Sequence, residues 1–365
     1  MSSPASSERP WSAAVPLSFA RAGSAEPVML VVGETLHLVF VANKTLYHAR
    51  LSLTAAAEWQ PPVQFASGES PALAATPDGK LYCAFTNWFL GNCEVYCAAW
   101  DGQKWALPQV VSRTSGVSTA PVLAAGPDGS LHAVWADTTP GRSTIYYGHK
   151  GDIAWTSGPI PGAAGSHPAL AVAPDGELLV AWQDRLGEAG AFEVFCASRK
   201  AGAWDVPQII SDAPQRHSLY PKLACNSRGN CHIVWQEQAG QTYVIRCAER
   251  LSAGWAPPAD LSDPGMDCRL AHIMPRSAEI FQAVWACGSA LRHRARPAEA
   301  RAFWWQAETA QSDCEGVSDL AAAIDASGVT HLVWSAYDPA GQRQLYHARR
   351  DPVRMQGIFI PIVIG

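Results

Sequence analysis

Three residues in the segment SDAPQRHSLY, Ser211 to Tyr220, could bind a polar ligand together: Arg216, His217 and Tyr220. A guanidinium, an imidazole and a phenol supply donors, an acceptor and an aromatic face within one short loop. Similar mixtures recur. QDRLGEAGAFE, Gln183 to Glu193, offers Asp184, Arg185 and Glu188. TNWFLGNCE, Thr86 to Glu94, exposes Trp88 and Phe89. Further on stand Glu237, Asp263, Asp267 and Arg269, then Asp313, Glu315 and Tyr337. Aromatic faces stack on the C–H faces of sugar rings, and charged side chains bond the hydroxyls at the ring edge. The expected ligand-binding set is therefore Trp88, Asp184, Arg185, Arg216, His217, Tyr220, Glu237, Asp267, Arg269 and Tyr337. Solvated loops use the same residue types, so only their positions in space can tell a site from a surface. No spacing completes a catalytic constellation, and no cofactor motif is present.

Those residues are set in a repeat. GPDGSLHAVWAD, Gly126 to Asp137, returns as TPDGKLYCAFTN from Thr76 and APDGELLVAWQD from Ala173. Weaker copies are NSRGNCHIVWQE from Asn226, DASGVTHLVWSA from Asp325, VVGETLHLVFVA from Val31 and RSAEIFQAVWAC from Arg276. They align on seven aromatic anchors: Phe40, Phe85, Trp135, Trp182, Trp235, Trp285 and Trp334. Successive anchors lie 45, 50, 47, 53, 50 and 49 residues apart. Self-similarity at that period marks a propeller or solenoid.

Each unit has the same grammar. An apolar strand such as PALAV leads into an Asp-Gly turn, a strong hairpin signal. The second strand ends on the anchor, a third follows (IYYG, Ile145 to Gly148), and a fourth opens with tryptophan, as in KWALPQVVS and AWDVPQIIS. Four short antiparallel strands per unit predict an all-β chain, a single seven-bladed β-propeller. Fourth-strand tryptophans follow blades one to six at Trp59, Trp105, Trp155, Trp204, Trp255 and Trp304 or Trp305. The seventh blade lacks one, and PWSAAVPLSF, Pro10 to Phe19, supplies it from the other end of the chain. Residues 9–19 are thus expected to form the outer strand of the last blade, closing the ring. The expected domain spans 1–356. The apolar tail GIFIPIVIG, Gly357 to Gly365, is expected to pack as an extra strand or to dock a partner.

A residue shared by all blades serves the fold, and one found in a single blade is the better site marker. His37, His132, His232 and His331 share a column after the hairpin turn and are read as structural. Asn87, Asp137, Asp184 and Glu237 stand two residues past their anchors, where polar side chains cap loops and make one face acidic. No metal site is expected, since ligation needs His, Asp or Glu converging at about 2 Å and no CxxC pair exists.

The net charge of −5, with scattered basic residues, argues against nucleic acid. No apolar run reaches membrane-spanning length. MSSPASSERP has no signal-peptide core, and the expected location leans intracellular. Cys83, Cys97, Cys196 and Cys247 fall in strand columns and read as small buried apolar residues. Cys225 with Cys231 could bridge the blade-five turn, and Cys268, Cys287 and Cys314 could pair near blade six. The balance of the reading favours free thiols.

The unit PxLAxxPDGxLHxVWxD…IYY…W…P…S resembles the repeats of sialidase-like propellers and of seven-bladed bacterial lectins that bind fucose and related sugars. The resemblance spans nearly the whole chain but rests on fold-maintaining positions. It implies a binding propeller, lectin-like or a protein-interaction scaffold, with a carbohydrate or protein ligand on the loop-rich face or between blades. The alternative it implies is a sialidase-type glycoside hydrolase. Sialidases carry an S-x-D-x-G-x-x-W box between strands three and four, of which WDGQKW (Trp100 to Trp105) is the nearest remnant here. They also carry three carboxylate-gripping arginines and a Tyr–Glu nucleophile pair. Arg21, Arg113, Arg216 and Arg269 precede first strands, and Tyr220 with Glu237 could be cast as the pair. The R-I-P arginine motif is absent.

Overall fold

The computed structural model describes residues 11–17, 19, 23–54, 58–89, 91–139, 141–187, 190–299 and 302–352. Among them there is no helix; seven antiparallel sheets follow one another along the chain. Blade one runs through Ala25–Val32, Thr35–Ala42, Thr45–Ser52 and Trp59–Ser67, innermost strand first. The first strands of the other blades are Glu69–Ala75, Ser118–Ala125, Ser166–Val172, Ser218–Cys225, Cys268–Pro275 and Asp319–Ile324. Adjacent first strands touch all around the ring and wall its axis.

The second strands explain the continuous apolar runs. Both faces of each are covered, so successive residues serve opposite neighbours. In Thr35–Ala42, Leu38 and Phe40 pack with Val333 and Leu345 of blade seven. Val39 and Val41 pack with Cys83 and Phe85 of blade two. Seven such clusters exist among the described residues, one at each blade interface. No anchor aromatic is more than 1% exposed. The Asp-Gly turns close over three residues: Gly126 N–H bonds the Ser130 carbonyl, and Gly129 takes φ +83°, open to glycine at no steric cost. Fourth strands carry Pro108, Pro207 and Pro258 next to short strand pieces. Proline blunts these outer edges against pairing with other chains.

The seventh blade takes its outer strand from the N-terminus. Val15 and Pro16 pair with His347 and Tyr346, and Trp11 bridges Arg350. Ser12 and Leu17 N–H groups bond the carbonyls of Arg349 and Leu345 at 2.8 Å. The tail Gly357 to Gly365 lies outside the described residues.

A second repeated feature joins blade to blade. Lys150, Arg199, Arg250, Arg296 and Arg350 occupy one position at the end of the third strand. Four of these reach a group of the preceding blade. Arg199 lies over Tyr147, Arg250 makes two bonds to Glu177, Arg296 bonds Glu249 and Arg350 bonds Glu308.

The cysteines require a correction. Cys225–Cys231 and Cys268–Cys287 are disulfides. Each pair sits directly opposite in the ladder between first and second strands, at Cα separations of 4.1 and 4.0 Å, within bridging reach. The expectation of free thiols fails there. Cys83, Cys97, Cys196 and Cys247 are free and buried, as their columns imply.

Candidate functional site

Loops after second strands and loops entering first strands share the upper face, since antiparallel strands alternate in direction. There the structure brings several of the expected residues together on blades four to six. Arg185 lies over the Phe192 ring at 4.5 Å. His217 packs tilted against Phe192, and its Nδ1 accepts the Phe192 N–H. Arg216 bonds Glu237 at 3.0 Å. On the next blade boundary Asp267 holds Arg269 at 2.9 Å and accepts the Tyr243 N–H, while Arg269 covers the Tyr243 ring. Three residues stand apart. Trp88 projects from blade two, 57% exposed. Asp184 turns to Arg142 of blade three. Tyr337, on blade seven, lies under Arg343.

The sialidase assignment does not assemble. Glu237 is fully buried, clamped by Arg216 and by Arg246 at 3.2 Å. No hydrogen bond joins it to Tyr220 among the described residues. Arg216 and Arg269 are already neutralised by carboxylates. Arg113 is exposed; Arg21, like Glu188, lies outside the described residues. The Asp-box remnant is a turn and nothing more: Asp101 Oδ1 accepts the N–H groups of Gln103 and Lys104 at 2.8 Å. The histidine column is structural too. His37 bonds His48, His132 bonds Tyr147 and His331 bonds His347, all buried.

The axis carries a set that sequence reasoning passed over. Six first strands begin with a β-bulge whose middle residue has positive φ: Glu26, Ser70, Ala120, His167, Tyr220 and Leu270. Asp319 takes the same place in blade seven without a bulge. Because the bulge repeats, the strained backbone belongs to the fold, while the side chain it presents is free to vary. Five of the seven are polar, Ala120 and Leu270 being the exceptions. Tyr220, 46% exposed at φ +53°, meets the His167 ring edge-on at 4.6 Å. Its N–H is fixed by Gln183 Oε1 at 2.8 Å. Across the ring, burial raises the Glu26 carboxyl pKa, a bond from Ser70 N–H partly offsets this, and Asp319 and Glu69 push it further up.

Two residues deeper, five blades place Val28, Ala72, Val122, Ala169 and Ala321. Blades five and six place Lys222 and His272 instead. Protein surrounds Lys222, yet its side chain is open to water, as befits a group standing in the axial channel. Burial lowers its pKa. His167 is lowered by burial and then by the Lys222 charge; His272, lowered to about 3 by the same two causes, bonds the Leu320 backbone. The signal for Lys222 and His272 was available: each breaks a small apolar column in one blade only. Among the described residues no group of three or more His, Cys, Asp or Glu is arranged to hold a metal ion, and no helix is long and apolar enough to cross a membrane.

No family model matches the chain, and no match is found among curated proteins. Solved structures do match. An ulvan lyase of polysaccharide lyase family PL25 aligns with TM-score 0.67 at 10% identity, over 91% of this chain and 95% of that one. The GH93 α-L-arabinofuranosidase of Fusarium graminearum gives 0.52 at 13% identity, over 78% and 93%. A Trypanosoma rangeli sialidase gives 0.51 at 9% identity, over 90% of this chain and 55% of that one. At such identities the likeness shows the fold alone.

Proposed function

We propose that this propeller binds carbohydrate at the upper mouth of its axial channel, over blades four to six. The observation that carries the reading is the half-exposed Tyr220 ring at that mouth, met edge-on by His167, with Arg185, His217 and Arg269 on neighbouring strands and loops of the same face. Such a ring offers a stacking face, and the neighbours offer hydroxyl partners. Trp88 and Phe89 on blade two provide a second exposed aromatic patch on the same face. The carbohydrate-acting neighbours support the ligand class without fixing it. Among the expected residues, Glu237 is reassigned to holding Arg216 in place.

The role is binding rather than sialoside hydrolysis, because the arginines needed to grip the carboxylate are spent on Glu237 and Asp267. A glycan array followed by calorimetry tests the reading. Tyr220→Ala should weaken the best ligand about tenfold, one stacked ring being worth about 1–2 kcal/mol. A clean array, or an unchanged affinity in Tyr220→Ala, defeats it. Turnover of a fluorogenic sialoside that disappears in Arg216→Ala would establish the hydrolase instead.

A further inference from the structure

His167, Lys222 and His272 lie on the adjoining first strands of blades four, five and six, which wall the axis, and the Lys222 charge acts on both imidazoles. Among the described residues no carboxylate pairs with the Lys222 ammonium. The acids of the channel mouth, Glu26, Glu69 and Asp319, belong to blades one, two and seven, on the opposite side of the ring. The mouth is therefore polarised, cationic and imidazole-lined on one wall and acidic on the other.

The fold does not ask for a lysine here. Its own choice at this position is valine or alanine in five blades. An ammonium open to water in the channel with no counter-charge of its own is free to take an anionic group. His272 is oriented by the Leu320 backbone, and His167 has its Nδ1 on Ser166 Oγ at 3.1 Å. Their remaining ring nitrogens can take part in binding the same group as Lys222.

We propose that Lys222, flanked by His167 and His272, is a subsite for the carboxylate of an acidic sugar. This deepens the carbohydrate reading above and rests on it. The sugar ring stacks on Tyr220 at the mouth, its carboxylate points down to Lys222, and the acidic wall repels the reverse orientation.

The test compares an oligoglucuronate with its carboxyl-reduced, neutral counterpart by calorimetry. The unaltered protein should prefer the acidic form about tenfold or more, the scale of one charge-assisted hydrogen bond. Lys222→Val, which restores the residue of blades one and three, should erase the preference while keeping the weaker binding of the neutral form. Lys222→Arg should retain the preference. Equal affinity for the two forms, or a preference that survives in Lys222→Val, overturns the proposal. If neither oligosaccharide binds, the carbohydrate reading fails separately, and the subsite is read on its own by 13C-methylating the lysines. The Lys222 methyl signal should then shift with sodium glucuronate or N-acetylneuraminate and stay put with glucose. No shift with either carboxylate, or a shift with sodium sulfate alone, overturns the carboxylate site.

Discussion

Trp11 and Glu308 stand 297 residues apart in the chain, and the indole Nε1–H of one donates to Oε1 of the other at 3.1 Å. Glu308 lies on the outer strand of blade six, where it also takes Arg350 of blade seven and His293. One carboxylate thus gathers the N-terminal segment and the last two blades. The indole itself is only 6% exposed, packed among Val284, Trp334 and Cys314.

Removing that ring should open the closure. Trp11→Ala should destabilise the protein by about 3–5 kcal/mol, the usual cost of deleting a buried indole. Trp11→Phe, which keeps most of the volume and loses the hydrogen bond, should cost about 1–2 kcal/mol. Urea unfolding followed by tryptophan fluorescence reads both. An alanine variant within about 1 kcal/mol of the parent would mean that the ring is held shut elsewhere, since surface changes sit in that range.

Acid should unfold this protein earlier than its carboxylates alone would require. Burial holds His37 and His132 at about 4, and His48, His232 and His347 at about 3. Unfolded, each titrates near the ordinary 6.5. Below that value the unfolded chain binds more protons than the folded one, so stability is full above about pH 6.5 and falls as pH drops toward 4. Glu308 adds a later loss: burial opposes its charge, but His293 and Arg350 prevail and hold it at about 2, so its contribution fades from about pH 4.5 downward. Denaturation midpoints from pH 8 to 4 should show the first decline near 6, and a flat profile down to pH 5 would refute the assignment. His232 gives a sharper version. Both its ring nitrogens are buried without a partner, and blade four uses Leu179 in the same column. His232→Leu should leave stability at pH 8 unchanged or improved, with a gain that widens as pH falls.

The repeat made the fold readable because fold positions recur. Trp135 and its equivalents, the Gly129 turn and the missing fourth strand all announce themselves by being said seven times, or six times with one gap. The upper-face candidates were chosen on the opposite principle, as exceptions in loops; Arg216 meets Glu237, and Arg185 and His217 share the Phe192 ring. That principle stopped at the loops. Lys222 and His272 are exceptions inside a strand column, and they escaped because an alternating strand was taken as wholly structural. The Arg250 to Glu177 contact escaped for another reason: its partners are 73 residues apart, and only ring geometry makes consecutive blades neighbours. The Cys268–Cys287 pair turned on ladder register, which spacing alone does not fix because the bulge between Arg269 and His272 shifts the pairing, whereas Cys225 and Cys231 flank the hairpin turn directly.

Glu237 separates a structural carboxylate from a catalytic one. It is fully buried beside two arginines, Arg216 at 3.0 Å and Arg246 at 3.2 Å, and its Oε2 has no partner. Breaking such a buried pair from one side leaves uncompensated charge, so Glu237→Ala should cost about 3–5 kcal/mol in stability. Arg216→Ala removes the partly exposed member and leaves Arg246 in place, so it should cost about 1 kcal/mol or less. On ligand affinity the order reverses: Arg216→Ala, on the face where binding is proposed, should weaken it, and Glu237→Gln should weaken it no more than that. A glutamine variant that is as stable as the parent but binds less than Arg216→Ala would place the carboxylate itself against the ligand, and the structural role assigned to it would be wrong.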